Sequence, residues 1–85
     1  MTLKVRVVSA TEEVFSGEAT FVAARTVEGE LGVLPGREPM LGILGAGEVR
    51  ITLVGGEKIT AVAEGGFLSV ENDTVTVVAG NAKLS

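Results

Sequence analysis

The chain has 85 residues, a formal net charge of −4, and neither cysteine nor histidine. This length predicts one domain over residues 1–85, and the composition excludes disulfides and argues against a zinc site. Lysine and arginine occur singly, and three Phe are the only aromatic residues, so the basic stripe and stacking aromatics of a nucleic-acid binder are missing.

Localisation signals are also missing from the sequence. No apolar run approaches the ~18 residues of a membrane span, and the first residues lack the basic and apolar regions of a signal peptide. We therefore expect a cytoplasmic domain. Its small core is expected to be aliphatic and to gain stability from association with a partner.

Period-two alternation predicts strands in three stretches of the chain. Apolar residues occupy every second position in 3–7 (LKVRV), 48–53 (EVRITL) and 74–77 (TVTV). Each stretch is expected to place one face in a core and the other in water or against a partner. Because no window shows a helical stripe, the sequence predicts an all-β sandwich or barrel.

Turn residues divide these β-rich runs at short intervals. Gly-Gly at 55–56 predicts a hairpin, and Asn72-Asp73 predicts a second one that joins 66–70 to 74–79. The full set of predicted breaks is Ser16-Gly17, Glu28-Gly29, Pro35-Gly36, Gly45–Gly47, Gly55-Gly56, Gly65-Gly66 and Asn72-Asp73. The stretch Gly29–Leu44 holds both prolines, so it is expected at a sheet edge or in an ordered loop.

Few side chains could carry catalysis. Glu12 and Glu13 are adjacent, which points them to opposite faces of a strand, and they are interpreted as a solvated turn. Glu28 and Glu30 flank a glycine turn and are interpreted as loop surface or a partner contact. Lys58 follows the Gly55-Gly56 hairpin and suggests a carrier lysine, but its neighbours resemble neither the biotinyl nor the lipoyl motif. No glycine loop precedes Lys-Ser or Lys-Thr, so we expect no tight ATP binding and no ATP hydrolysis.

The stretch 29–41 (GELGVLPGREPML) resembles the signature of the epsilon subunit of F-type ATP synthase. The flanking segments agree in order along nearly the whole chain. They are 7–10 (VVSA), 14–17 (VFSG), 47–51 (GEVRI), 65–70 (GGFLSV) and 74–79 (TVTVVA). The chain is thus identified as a member of that family.

The resemblance implies a flattened β-sandwich of about ten short strands in two sheets. It also implies a non-catalytic subunit of the central stalk of a proton- or sodium-translocating synthase, which binds the gamma subunit and rests on the membrane c ring. Its place would be peripheral, at the cytoplasmic face of the inner or plasma membrane or in the equivalent compartment of an organelle. The segment from Glu30 to Glu38 would contact the polar loops of the c ring, through Glu30, Pro35, Arg37 and Glu38. No cofactor, metal or small-molecule substrate is implied.

Two features depart from the family pattern. Arg37-Glu38 replaces the His-Ala that precedes the second proline in the family, which bears on the c-ring contact. The family continues into C-terminal helices that restrain ATP hydrolysis, and this sequence stops where they would start. We therefore expect coupling without helix-dependent inhibition.

Two other functions remain open at this stage. One is a small-molecule or carrier β-barrel, such as a lipoyl-like domain, and a carrier would show a covalent adduct on Lys58 by mass measurement. An oligonucleotide-binding barrel is opposed by the net charge and by the low aromatic content.

Overall fold

The computed structural model of the chain describes residues 2–84, apart from the side chains at positions 46, 47 and 83. Within that range the chain forms six strands and no helix. The strands are β1 (Leu3–Val8), β2 (Glu13–Thr26), β3 (Gly29–Val33), β4 (Met40–Leu53), β5 (Lys58–Glu71) and β6 (Thr74–Leu84). Accordingly, the described residues offer no helix that could cross a membrane.

The strands form one sheet that closes on itself. Their order is β1-β6-β5-β4-β2-β3, and β1 also pairs with β2, which completes a ring and leaves β3 at the outer edge of β2. The β1–β6 pair is parallel and the other pairs are antiparallel. With extents of 30 × 24 × 18 Å, the barrel is flattened.

The prediction of an all-β sandwich or barrel is confirmed, but the expected strand count of about ten in two sheets is wrong. Strands β2, β4 and β5 each run for 14 residues. At about 3.3 Å per residue, each is long enough to bend and contribute to both layers of the flattened barrel. The structure has fewer strands than expected because three of the predicted breaks lie inside continuous strands.

Three of the predicted glycine breaks lie within strands that continue through them. Ser16-Gly17, Gly45–Gly47 and Gly65-Gly66 lie inside β2, β4 and β5, so the predicted turns at these places are wrong. In β4, residues 45–48 lie opposite Arg25 alone, which is a bulge that turns the strand. In β5, a Cβ at Gly66 would stand 1.9 Å from the carbonyl oxygen of Val78, so β6 passes too close for any other residue.

The remaining predicted turns are confirmed. Gly55-Gly56 joins β4 to β5, and Asn72-Asp73 joins β5 to β6. Asn72 and Asp73 have φ values of 49° and 57°, the pair of positive angles that defines a type I′ hairpin. In the Gly29–Leu44 stretch, 29–33 is the edge strand and 34–39 is a loop, as expected. Its last part, 40–44, instead belongs to β4 and pairs with β5.

The core is aliphatic, and the alternating residues of the three predicted strands supply much of it. No polar or charged residue of the described part is buried. The largest fully buried side chains are Leu3, Val5, Val7, Val22, Val33, Val49, Ile51, Leu68, Val70, Val75 and Val77. The opposite faces of these strands are therefore left to water and to partners.

Candidate functional site

An exposed loop, residues 34–39, connects β3 to β4 and holds three of the four predicted contact residues. We call it the docking loop. Gly36 has φ of +87°, which a glycine adopts without strain. Pro35 and Pro39 fix φ at two more positions and so reduce the freedom of the backbone. The loop presents Arg37 and Glu38, both exposed, to solvent.

The docking loop is tied to the β5–β6 turn. The backbone N–H of Gly36 donates a hydrogen bond of 2.7 Å to Oδ1 of Asp73. The backbone carbonyl oxygen of Asp73 accepts a second bond, of 2.8 Å, from the N–H of Lys4 at the start of β1. The loop, the β5–β6 turn and the first strand therefore meet at one end of the barrel.

Arg37 closes the base of the docking loop. Its Nη1 donates to the carbonyl oxygen of Gly32 at 3.1 Å, and its Nε lies 2.9 Å from Sδ of Met40. The guanidinium thus spans from the last residues of β3 to the first residue of β4. Since a guanidinium has five N–H donors, others remain for a partner. Arg37 is both a part of the loop structure and an exposed cation.

Glu30 is not in the docking loop, so the segment 30–38 is not the single loop expected from the sequence. Glu30 belongs to β3, and its carboxylate accepts a hydrogen bond from Nη2 of Arg50 in an ion pair. It lines an open groove of about 470 Å³ together with Arg25, Glu48, Arg50, Val62 and Glu64. The structure brings Pro35, Arg37 and Glu38 together and places Glu30 in a separate cluster of mixed charge.

An exposed apolar surface begins directly after the docking loop. We call it the apolar patch; it consists of Val27, Leu41, Ile43 and Phe67. Val27 is 67% exposed, Leu41 64%, Ile43 53% and Phe67 39%. Ile43 and Phe67 are paired across β4 and β5, and the N–H of Val27 donates to the carbonyl oxygen of Ile43 at 2.9 Å. These side chains therefore form one continuous surface rather than isolated exposed residues.

The sequence prediction missed this patch, although the sequence carries a signal for it. Residues 40–44 (MLGIL) are apolar without alternation, so a strand there must show apolar side chains on both faces. Phe67 precedes Leu68, which is fully buried, and adjacent strand residues point to opposite faces. Phe67 is therefore directed outward.

The other candidate residues show no arrangement for catalysis. Glu12 and Glu13 are exposed, and Oε1 of Glu13 accepts a hydrogen bond of 3.1 Å from Nε of Arg6. Lys58 is exposed at the start of β5. Among the described residues, no group of three or more acidic side chains is placed to hold a metal ion. The described residues thus present two adjoining exposed surfaces, a loop that carries the charged pair Arg37 and Glu38 and an apolar patch.

Comparison with known sequences assigns this chain to a family. A family model described as ATP synthase, Delta/Epsilon chain, beta-sandwich domain, matches residues 2–85. The ATP synthase epsilon chain of Micrococcus luteus is 49% identical over 82 residues, which cover 96% of this chain and 90% of the relative. That of Frankia casuarinae is 46% identical over 85 residues, the full length of both chains. That of Rhodococcus jostii is 49% identical over 84 residues, with 69% of the relative covered.

Solved structures agree with these sequences. A chain in the structure of the Euglena gracilis mitochondrial ATP synthase, described as OSCP/F1/c-ring, is 27% identical with a TM-score of 0.91. The match covers 98% of the present chain and 53% of that one. A chain from the central stalk and c-ring structure of the Tetrahymena thermophila enzyme has a TM-score of 0.76. At 20% identity, over 96% of this chain and 66% of that one, it supports the fold alone.

Proposed function

Because this chain belongs to the family of ATP synthase delta/epsilon β-sandwich domains, we propose that it couples the gamma subunit to the membrane c ring as a non-catalytic part of the rotor. The family expected from residues 29–41 is the family found. The observation that carries the proposal is the pair of adjoining surfaces, the docking loop and the apolar patch, on one closed barrel.

The apolar patch is the surface that binds gamma. Contiguous exposed apolar surface on a small domain is typical of protein interaction sites. Three of its four residues lie on β4 and β5, which pair with each other over residues 40–44 and 66–70. A rigid apolar face of this kind loses little conformational freedom when a partner covers it, which favours a stable association.

The docking loop is the surface that contacts the c ring, through Pro35, Arg37 and Glu38. Polar partner loops would be recognised by complementary charge and hydrogen bonding, which Arg37 and Glu38 both supply. Two prolines and the bonds to Asp73 and Gly32 hold the loop before binding, so ordering it costs little. Glu30 would reach the same partner only from the side of β3, where it is already paired with Arg50.

The two surfaces are joined through Met40. This residue contacts Arg37 through its sulfur and directly precedes Leu41 of the apolar patch. A force applied at the loop is therefore passed along β4 to the gamma contact. The subunit would then be held at the membrane peripherally, through the complex, on its cytoplasmic face.

Co-purification tests the proposal. The tagged chain is expressed in its own organism, and complexes are extracted from membranes in mild detergent. Gamma and the c subunit are expected in the eluate in proportion to the tag. If the tagged chain is recovered but the amount of gamma is no greater than in an untagged control, the proposed function is contradicted.

A further inference from the structure

Asp73 is far from the docking loop in sequence and adjacent to it in space. It accepts the Gly36 N–H through its side chain although the two residues are 37 positions apart. Asp73 also has φ of +57° in the β5–β6 hairpin. It therefore occupies a turn position and at the same time reaches out of the turn to a neighbouring element.

The turn itself does not require a carboxylate. A type I′ hairpin needs positive φ at both central residues, and glycine or asparagine meets that need at least as well as aspartate. The carboxylate adds a charged acceptor, whose hydrogen bonds are shorter and stronger than those between neutral groups. The bond to Gly36, at 2.7 Å, has that length.

We propose that Asp73 is a positioning residue for the docking loop, and this rests on the proposed function of that loop. Its carboxylate fixes the amide of Gly36, the residue before Arg37, while Arg37 itself bonds Gly32 and Met40. The loop is thus held at two points, and the direction in which Arg37 and Glu38 are presented is set.

A second bond gives Asp73 a fixed base. Its carbonyl oxygen accepts the N–H of Lys4, and Lys4 pairs with Thr74 in the parallel β1–β6 ladder. The carboxylate therefore belongs to a residue that lies where β1 begins to pair with β6. A shift in the position of the docking loop is therefore opposed by the strand pairing that closes the barrel as well as by the hairpin turn.

Three substitutions separate the carboxylate from the turn. Asp73→Gly keeps the positive φ and removes the acceptor. Asp73→Asn keeps both the φ preference and an Oδ1 acceptor. Asn72→Gly changes the neighbouring turn position and leaves Asp73 in place. For each full-length variant, three quantities are measured: amide hydrogen exchange at Gly36 by NMR, affinity for the purified c ring of the same synthase, and melting temperature. Glu38→Lys serves as the positive control for c-ring binding.

The expected result is specific to the acceptor. Asp73→Gly speeds Gly36 exchange about tenfold, the factor that corresponds to about 1.4 kcal/mol, and weakens c-ring binding by a similar factor. Asn72→Gly remains within about threefold of the parent in both measurements, and Asp73→Asn, which keeps Oδ1 but loses the charge, lies between the parent and Asp73→Gly. Melting temperatures of the two glycine variants shift together, because both alter the same turn.

Three other outcomes would overturn the inference. Equal Gly36 exchange in Asp73→Gly and Asn72→Gly would overturn the inference. The inference would also fail if Asp73→Gly speeds Gly36 exchange but leaves c-ring affinity unchanged while Glu38→Lys lowers that affinity. In that case the proposed function of the loop would still stand. If neither Glu38→Lys nor Asp73→Gly alters c-ring affinity, the docking loop is not the contact, and the proposed function of the loop fails together with the inference.

Discussion

The substitution Ile43→Asp tests the apolar patch at its centre, where Ile43 faces Phe67 across β4 and β5. Full burial of an isoleucine contributes about 1.5–3 kcal/mol, so the exposed half of Ile43 adds roughly 1 kcal/mol when gamma covers it. Removing a carboxylate from water without a partner costs about 1–3 kcal/mol more, after partial relaxation of the interface. The affinity for gamma is therefore expected to fall roughly 30- to 1000-fold.

Val54→Asp is the matched control. Val54 is 54% exposed against 53% for Ile43, and it lies in the β4–β5 turn outside the patch. Both variants change the net charge equally. Gamma affinity is measured by calorimetry or by surface-based binding, together with the melting temperature of each variant. A loss of affinity in Ile43→Asp alone supports the assignment. Unchanged affinity in Ile43→Asp, or equal losses in both variants, would refute it.

Three further predictions concern the bend, the loop and nucleotides. Gly66→Ala is expected to lower the free energy of unfolding by about 3 kcal/mol or more, because its Cβ would meet the Val78 carbonyl. Gly80→Ala, whose Cβ would have only an ordinary contact, should change it little in urea titrations; equal effects would contradict the steric reasoning. Arg37→Glu should weaken c-ring binding by about 1–3 kcal/mol and lower the melting temperature only slightly, because the bonds to Gly32 and Met40 that it loses are exposed to solvent; a collapse of that temperature would make Arg37 mainly structural. Titration calorimetry with ATP should show no micromolar binding, and a stoichiometric isotherm would disprove this.

The parts of the fold predicted from sequence are those that local chemistry decides. Alternation placed Val5, Val7, Val75 and Val77 in the core, and Asn72-Asp73 marked a type I′ turn, because these preferences act within a few residues. Gly66 could not be interpreted in the same way. A glycine is equally compatible with a turn and with a strand that another backbone approaches closely, and only the position of β6 decides between them.

The candidate site was predicted in part for a similar reason. The two prolines predicted an edge or an ordered loop within 29–44, and the resemblance to the family, not the composition, indicated a contact there. The contacts of its members depend on distant partners. Glu30 pairs with Arg50, twenty positions away, and Gly36 bonds Asp73, thirty-seven positions away. No local pattern specifies either partner.

The parallel pairing of β1 with β6 has a consequence for how the chain folds. Lys4 pairs with Thr74, so the ladder that closes the barrel joins residues separated by most of the sequence. Such contacts form late, because the entropy of closing a long loop is lost before they stabilise anything, and domains rich in them fold in roughly milliseconds to seconds. On the ribosome, β1 can pair with β2 early but must wait for the last strand to emerge before its other edge is covered. Until then that edge is open to other chains, and early binding of a partner would shorten the exposure.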